Sequence, residues 1–308
     1  MYAVVKPRFK QRLKAWWDGD DVPIEPAGPA PKITVEERNG FVEPKQSRFS
    51  ARIECLNLIW GDGFCGPGDD GFYCDLVRPI GLNSELSMLE LGAGLGGGAR
   101  AIVKEYGVWA LGFEEDRELQ EAGCEFSESA GLGRKAEICH FQPDTLELPL
   151  RKFDCVFAKE FMSRIADKRV LIQQIEKSLK YGSHLFIVDF AIEDGDRGAP
   201  GVQKWLKSKD QPRHVLSPNS MAATIVESGL ENRVARDITD RYLQLTTDAW
   251  RNWQDIVKEI DQFEEREAIL KELHGQVRLW TELIDILKTG NLRVFSYHAT
   301  KRSSGGIR

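Results

Sequence analysis

The sequence has no surplus of positive charge. Its 42 lysines and arginines face 48 aspartates and glutamates, a formal net charge of −6 over 308 residues. Phosphate backbones call for a dense basic surface, so nucleic acid is not expected as a partner. No apolar run approaches the length of a membrane span. Charges interrupt the first fourteen residues and leave no signal-peptide pattern, so a cytoplasmic protein is expected. Cysteines 55, 65, 74, 124, 139 and 155 form no CxxC pair, which argues against zinc, and no metal is expected. Several of them lie in apolar runs, where a reduced, buried thiol is expected. The five histidines form no recognisable dyad, and His140 and His298 sit in strand-like runs that suit a structural role.

What the sequence has in one place is glycine. The stretch 88–100 reads MLELGAGLGGGAR, with five glycines between positions 92 and 98. Glycine loses the most backbone freedom on folding, so a cluster marks a turn that other residues cannot make or a close approach of backbone to a partner. An apolar strand-like run precedes it. After it, Ala99, Ile102, Val103 and Tyr106 recur at helical spacing. A glycine loop between strand and helix is where a nucleotide-like ligand meets bare backbone and the positive end of a helix.

Around that loop the chain alternates. Strands are expected near 86–91, 108–113, 136–141, 153–158, 184–190, 233–237 and 292–298, with helices between most of them, such as 168–180 and 217–228. This predicts an α/β fold: a Rossmann-like, seven-stranded, mainly parallel sheet with helices on both faces. Residues 247–290 interrupt the run with a long helical pattern (Trp250, Trp253, Val257, Ile260, Phe263, Leu270, Leu273, Val277, Trp280, Leu283, Leu287). A cap over the site and a homodimer face both satisfy that pattern. Residues 1–32 combine a basic segment with a proline-rich linker. Within residues 4–17, Phe9, Leu13, Trp16 and Trp17 would share a helical face with no acid nearby, suited either to packing on the protein body or to peripheral contact with an anionic membrane. Residues 33–83 are expected to form a helical lid segment, 84–301 the main domain, and 302–308 a disordered tail.

Two ligand classes compete for the loop. Gly92, Gly94 and Gly97 satisfy G-x-G-x-x-G, the dinucleotide pattern, but Glu90 stands just before the first glycine, where it would repel a pyrophosphate. An acid there suits a ligand that carries positive charge and no phosphate. In this respect LELGAGLGGGAR resembles the first motif of the class I S-adenosylmethionine-dependent methyltransferases, E/D-x-G-x-G-x-G. Further segments resemble that family in order: LGFEEDREL (111–119), FQPDTLELPL (141–150), KFDCVFAKE (152–160) and SLKYGSHLFIVDF (178–190). The resemblance implies S-adenosyl-L-methionine as cofactor, held by Glu90, Gly92, Gly94 and Gly96, by Glu114 and Glu115 at the ribose, by Asp144 at the adenine, and by Lys159 near the methyl.

NLIWGDGFCGPGDDG (57–71) resembles the segment that closes over the cofactor in the phosphoethanolamine and small-molecule N-methyltransferases, and Asp237 to Tyr242 fits that branch too. The resemblance implies lid or substrate roles for Trp60, Phe64, Arg213 and Tyr242. This sequence departs from the branch at its catalytic pair. Arg164 stands where those enzymes place a histidine, and QSRFSARIECLN (46–57) lacks their tyrosine. Glu160 is the best-placed general base, and Arg164, one turn further on, could hold an acidic group of the acceptor. The expected activity is methyl transfer to nitrogen or oxygen of a small molecule or lipid head group. The alternative is a cofactor-binding sensor or scaffold without catalysis.

Overall fold

The structure, a computed structural model, describes residues 45–142, 146–207 and 212–302. The basic segment 4–17, the linker, Asp144 and residues 303–308 of the tail lie outside the described residues.

Seven strands form one sheet: β1 (Ser87–Leu91), β2 (Trp109–Glu114), β3 (Ala136–His140), β4 (Phe153–Lys159), β5 (Leu179–Ala191), β6 (Leu230–Asp237) and β7 (Arg293–Lys301). Their order across the sheet is β3-β2-β1-β4-β5-β7-β6. β1 to β5 pair in parallel, and β7 runs antiparallel between β5 and β6. The order reverses between β1 and β4, and in such sheets that reversal opens a ligand crevice beyond the carboxyl ends of the strands.

The strands are apolar on both faces because both faces are covered. Met88, Cys155, Phe157, Phe186 and Val188 join one core, while Leu89, Leu91, Val156, Ala158, Leu185 and Ile187, alternating with them, join the other. The first core includes α1 (Ala51–Trp60), α2 (Asp70–Val77), α3 (Gly97–Tyr106) and α4 (Arg117–Ser129). The second takes α5 (Lys168–Ser178) and α7 (Pro218–Glu227), while the short α6 (Pro200–Leu206) joins the first. Local chemistry starts these helices. Asp69, Asp116 and Asp167 accept from the N–H groups of Phe72, Leu119 and Val170 at 2.8, 3.1 and 3.1 Å. These bonds satisfy donors that a helix start leaves open. The expected helix 168–180 stops at Ser178, because Leu179 already pairs with Phe153 as the start of β5.

The helical insertion begins at Thr239, earlier than its sequence pattern suggested. It comprises α8 (Thr239–Trp250), α9 (Trp253–Ile260) and α10 (Arg266–Lys288). Its apolar stripe turns inward: Trp250, Ile260, Phe263, Leu273 and Leu287 are buried in the first core. Trp60 of α1 packs on Trp280 with ring centres 4.6 Å apart and meets Trp250 edge-on at 6.3 Å. The stripe therefore meets this chain's own α1, not an open face.

Candidate active site

The crevice floor is the glycine run. β1 ends at Leu91, and Gly92 (φ 72°) and Gly94 (φ 56°) turn the chain through the left-handed region that side chains disfavour. Space is short as well: a Cβ on Gly94 would lie 2.8 Å from Cys65 Sγ. The roof is the loop 61–66, tied down from three sides. Asn57 Oδ1 accepts from Gly63 N–H at 3.0 Å, Arg100 Nη2 donates to the Gly63 carbonyl at 3.3 Å, and Leu95 N–H donates to Cys65 Sγ at 3.2 Å. Phe64 and Gly66 thereby come to line the crevice opposite Gly97 and Gly98, the first residues of α3. Those two positions tolerate no side chain: a Cβ would lie 2.5 Å from the Gly63 carbonyl oxygen at Gly97, and 2.3 Å from the Tyr73 ring at Gly98.

Two acids define the electrostatics. Glu90 is 2% exposed beneath the start of α3, and its Oε2 has no hydrogen-bond partner among the described residues. Burial pushes its carboxyl up to about 8, against the pull of the Ala99 N–H and the charges of Lys159 and Arg100. An unpartnered buried carboxyl costs stability, and such groups concentrate at functional sites. Glu114 closes β2 with both oxygens engaged: one accepts from Gly94 N–H at 2.7 Å, the other from Asp116 N–H at 2.9 Å. Burial raises its pKa, while those N–H groups and Arg164 pull the other way.

A second polar group gathers at the end of β4. Glu160 has φ 54°, a left-handed conformation that costs a residue with a Cβ about 1–3 kcal/mol and persists where surroundings enforce it. Its carboxylate pairs with Lys159 Nζ, and a Cβ on Gly66 would lie 3.7 Å from that nitrogen and 3.9 Å from the carboxylate. Tyr242 of α8 is fully buried beside Glu160 and makes no well-formed hydrogen bond; burial and the Glu160 charge push its phenol well above the ordinary range. Asp189 of β5, also buried, accepts from the N–H groups of Ser163 at 2.9 Å and Phe190 at 2.7 Å. The Arg213 guanidinium lies 4.4 Å over the Trp205 ring with its Nε unpartnered among the described residues, and burial lowers its pKa against the charges of Glu160 and Asp189.

Glu114, Lys159, Glu160, Arg164, Gly92, Gly94 and Phe64 therefore share one crevice, with Tyr242 and Arg213 beside Glu160. Of the expected site residues, Trp60, Glu90, Gly96 and Glu115 do not line the crevice. Trp60 is a core residue between Trp250 and Trp280 and does not line the crevice. Gly96 serves packing: a Cβ there would lie 2.2 Å from Ile138 Cδ1. Arg164 pairs with Glu115, so its charge is already matched within the chain. Sequence reasoning missed Tyr73, which α2 presents to the crevice over Gly98, with Phe64, Phe72 and Phe157 packed around it. Nothing local marks it, because its position depends on how α2 packs against α3. Gly97 and Gly98 were legible in the glycine run.

No family model matches this sequence. Among curated proteins it is similar to phosphoethanolamine N-methyltransferase of Triticum aestivum, with 24% identity over 225 residues that cover 72% of this chain and 42% of that protein. The chain thus spans about two fifths of the length of this plant relative. Among solved structures it is similar to Haemonchus contortus phosphoethanolamine N-methyltransferase 2 in complex with S-adenosyl-L-methionine, at TM-score 0.71 and 19% identity over 82% of this chain and 57% of that one. A putative sarcosine dimethylglycine methyltransferase from Galdieria sulphuraria matches at TM-score 0.61 and 19% identity, over 76% of this chain and 85% of the other. The chain has the Rossmann-like fold of the class I S-adenosylmethionine-dependent methyltransferases, and its sequence is similar, at low identity, to the phosphoethanolamine N-methyltransferases.

Proposed function

We propose that this protein binds S-adenosylmethionine in the crevice and transfers its methyl group to a nitrogen or oxygen of a small molecule or lipid head group. The observation that carries the reading is Glu90. Glu90 lies buried beneath the crevice floor with a spare oxygen, and its ionised form would favour a ligand that brings a cation against it over one that brings a phosphate. The glycine run supports it, since Gly92, Gly94, Gly97 and Gly98 line the crevice and let Phe161, Cys65, the 61–66 roof and Tyr73 pack directly on the backbone around it. Glu114 would hold the ribose hydroxyls, for which a carboxylate offers paired acceptors. When bound, the cofactor supplies a methyl on a positively charged sulfur, already activated for in-line displacement.

The chain's residues then have to align the acceptor and keep water out. The roof residues Phe64 and Gly66 and the aromatic wall at Tyr73 exclude solvent. Glu160, held in its unusual conformation and close to the roof, would accept the acceptor's proton or hold its ammonium form. Tyr242, buried beside that carboxylate, would steady it. The similarity to proteins named phosphoethanolamine N-methyltransferases favours an amine acceptor here.

A second reading is binding without catalysis. The internal pairing of Arg164 with Glu115 favours it, because that pairing leaves no free cation at the position where the related enzymes carry a histidine. Calorimetric titration with S-adenosylmethionine, S-adenosylhomocysteine and NADH tests the ligand assignment, and methyl release onto a panel of amines, phenols and head-group analogues separates enzyme from sensor. Micromolar binding of both adenosyl ligands without NADH is expected. Binding of NADH alone would reverse the assignment.

A further inference from the structure

Glu115 and Arg164 have no part in the chemistry proposed above, yet they meet at the mouth of the crevice. Glu115 directly follows β2, and Arg164 ends the short 3-10 turn Met162–Arg164 that follows β4. β1 lies between β2 and β4 in the sheet. A side-chain bridge between the ends of its two neighbours must therefore pass over the end of β1, where Gly92 and Gly94 form the floor.

Each partner is steadied from behind. His140 Nε2, at the end of β3, lies 3.0 Å from the Glu115 carbonyl oxygen. Arg164 Nε donates to the Glu160 carbonyl at 3.4 Å, and its guanidinium carbon lies 5.8 Å from the centre of the Phe161 ring. That ring packs against Gly92, where a Cβ would come within 3.0 Å of it. The Arg164 and Glu115 side chains are 24% and 28% exposed, so the pair stands at the rim and not in the floor. Arg164 lines the crevice together with Glu114, the ribose acid of the proposed function.

We propose that the Glu115–Arg164 ion pair is a clasp across the crevice, which opens when an adenosyl ligand enters or leaves and closes over it. The proposal rests on the assignment of that ligand made above. It gives these two residues a role in residence time, distinct from any contact with the acceptor. A pair shielded to this degree is stronger than a fully exposed one, yet salt still reaches it.

The test is the dissociation rate of S-adenosylhomocysteine from the full chain, followed by stopped-flow displacement with excess S-adenosylmethionine. Glu115→Gln and Arg164→Gln should each speed dissociation by about threefold to tenfold, the range expected for one partly shielded ion pair. The charge reversal E115R/R164E should return the rate to within about twofold of the parent, because it restores the pair with opposite polarity. Raising salt should speed the parent, a response that needs no variant to fold, and should leave both single variants unchanged. Parent-like rates in the single variants, or a reversal as fast as either of them, would overturn the clasp. Failure of the parent to bind S-adenosylhomocysteine would instead sink the ligand assignment, and the clasp with it.

Discussion

Glu90 makes ligand binding a proton-releasing event. Burial holds its carboxyl protonated up to about pH 8 in the free protein. At pH 7, below that value, the protonated form is the major one. A cation placed against the carboxyl favours the ionised form, so binding expels the proton. Most of a proton per ligand should leave at pH 7, and affinity should climb with pH up to about 8, then level off. Stability of the unliganded fold runs the other way. A pKa raised on folding contributes stability that is full below the ordinary carboxylate value and is lost as pH rises through about 8. The assay is calorimetric titration of S-adenosylhomocysteine at pH 7 in phosphate and in Tris, whose ionisation enthalpies differ. The difference in observed heat, divided by the difference between the buffers, counts the protons. Glu90→Gln should abolish the release and flatten the pH dependence. Equal heats in the two buffers with binding intact, or a full proton released by Glu90→Gln, would refute the reasoning.

Three further outcomes follow from the same geometry. Gly97→Ala should push the roof away, since its Cβ would meet the Gly63 carbonyl oxygen at 2.5 Å and the Phe64 ring at 2.6 Å; the overpacking cost of about 1–3 kcal/mol outweighs the gain in helix propensity, and adenosyl affinity read by calorimetry should fall more than the melting temperature. Glu114→Ala should strip the ribose acid and leave the Gly94 and Asp116 N–H groups unpartnered, losing ligand binding and about 1–3 kcal/mol of stability in urea unfolding. Trp60→Ala should cost about 3–5 kcal/mol of stability in the same assay, because it empties the contact with Trp250 and Trp280, while the folded fraction binds ligand normally.

How much of this was legible beforehand depended on the range of the interactions. The alternation of apolar strands with helical patterns is local, and it located all seven strands to within a few residues. The same alternation announced a sheet with helices on both faces, which the two cores bear out. The glycine run after Glu90 was visible because a turn against bare backbone leaves few residue choices. Glu114 was located through the resemblance of LGFEEDREL to a methyltransferase motif that ends the second strand on an acid. Trp60 could not be assigned, because a tryptophan beside a lid motif and a tryptophan in a helical core look alike in sequence.

The chain by itself determined what short-range physics controls: strand and helix periods, helix caps at Asp69, Asp116 and Asp167, and the turn that only glycine makes at Gly92 and Gly94. Tertiary structure decided which distant side chains share a space. It turned the stripe of the inserted helices onto α1, brought Tyr73 over Gly98, and set Tyr242 beside Glu160, 82 positions before it in sequence. It also paired Arg164 with Glu115 across an intervening strand, a contact fixed by strand order. Strand order is set by the sum of many packing contacts, and no local pattern in the sequence encodes that sum.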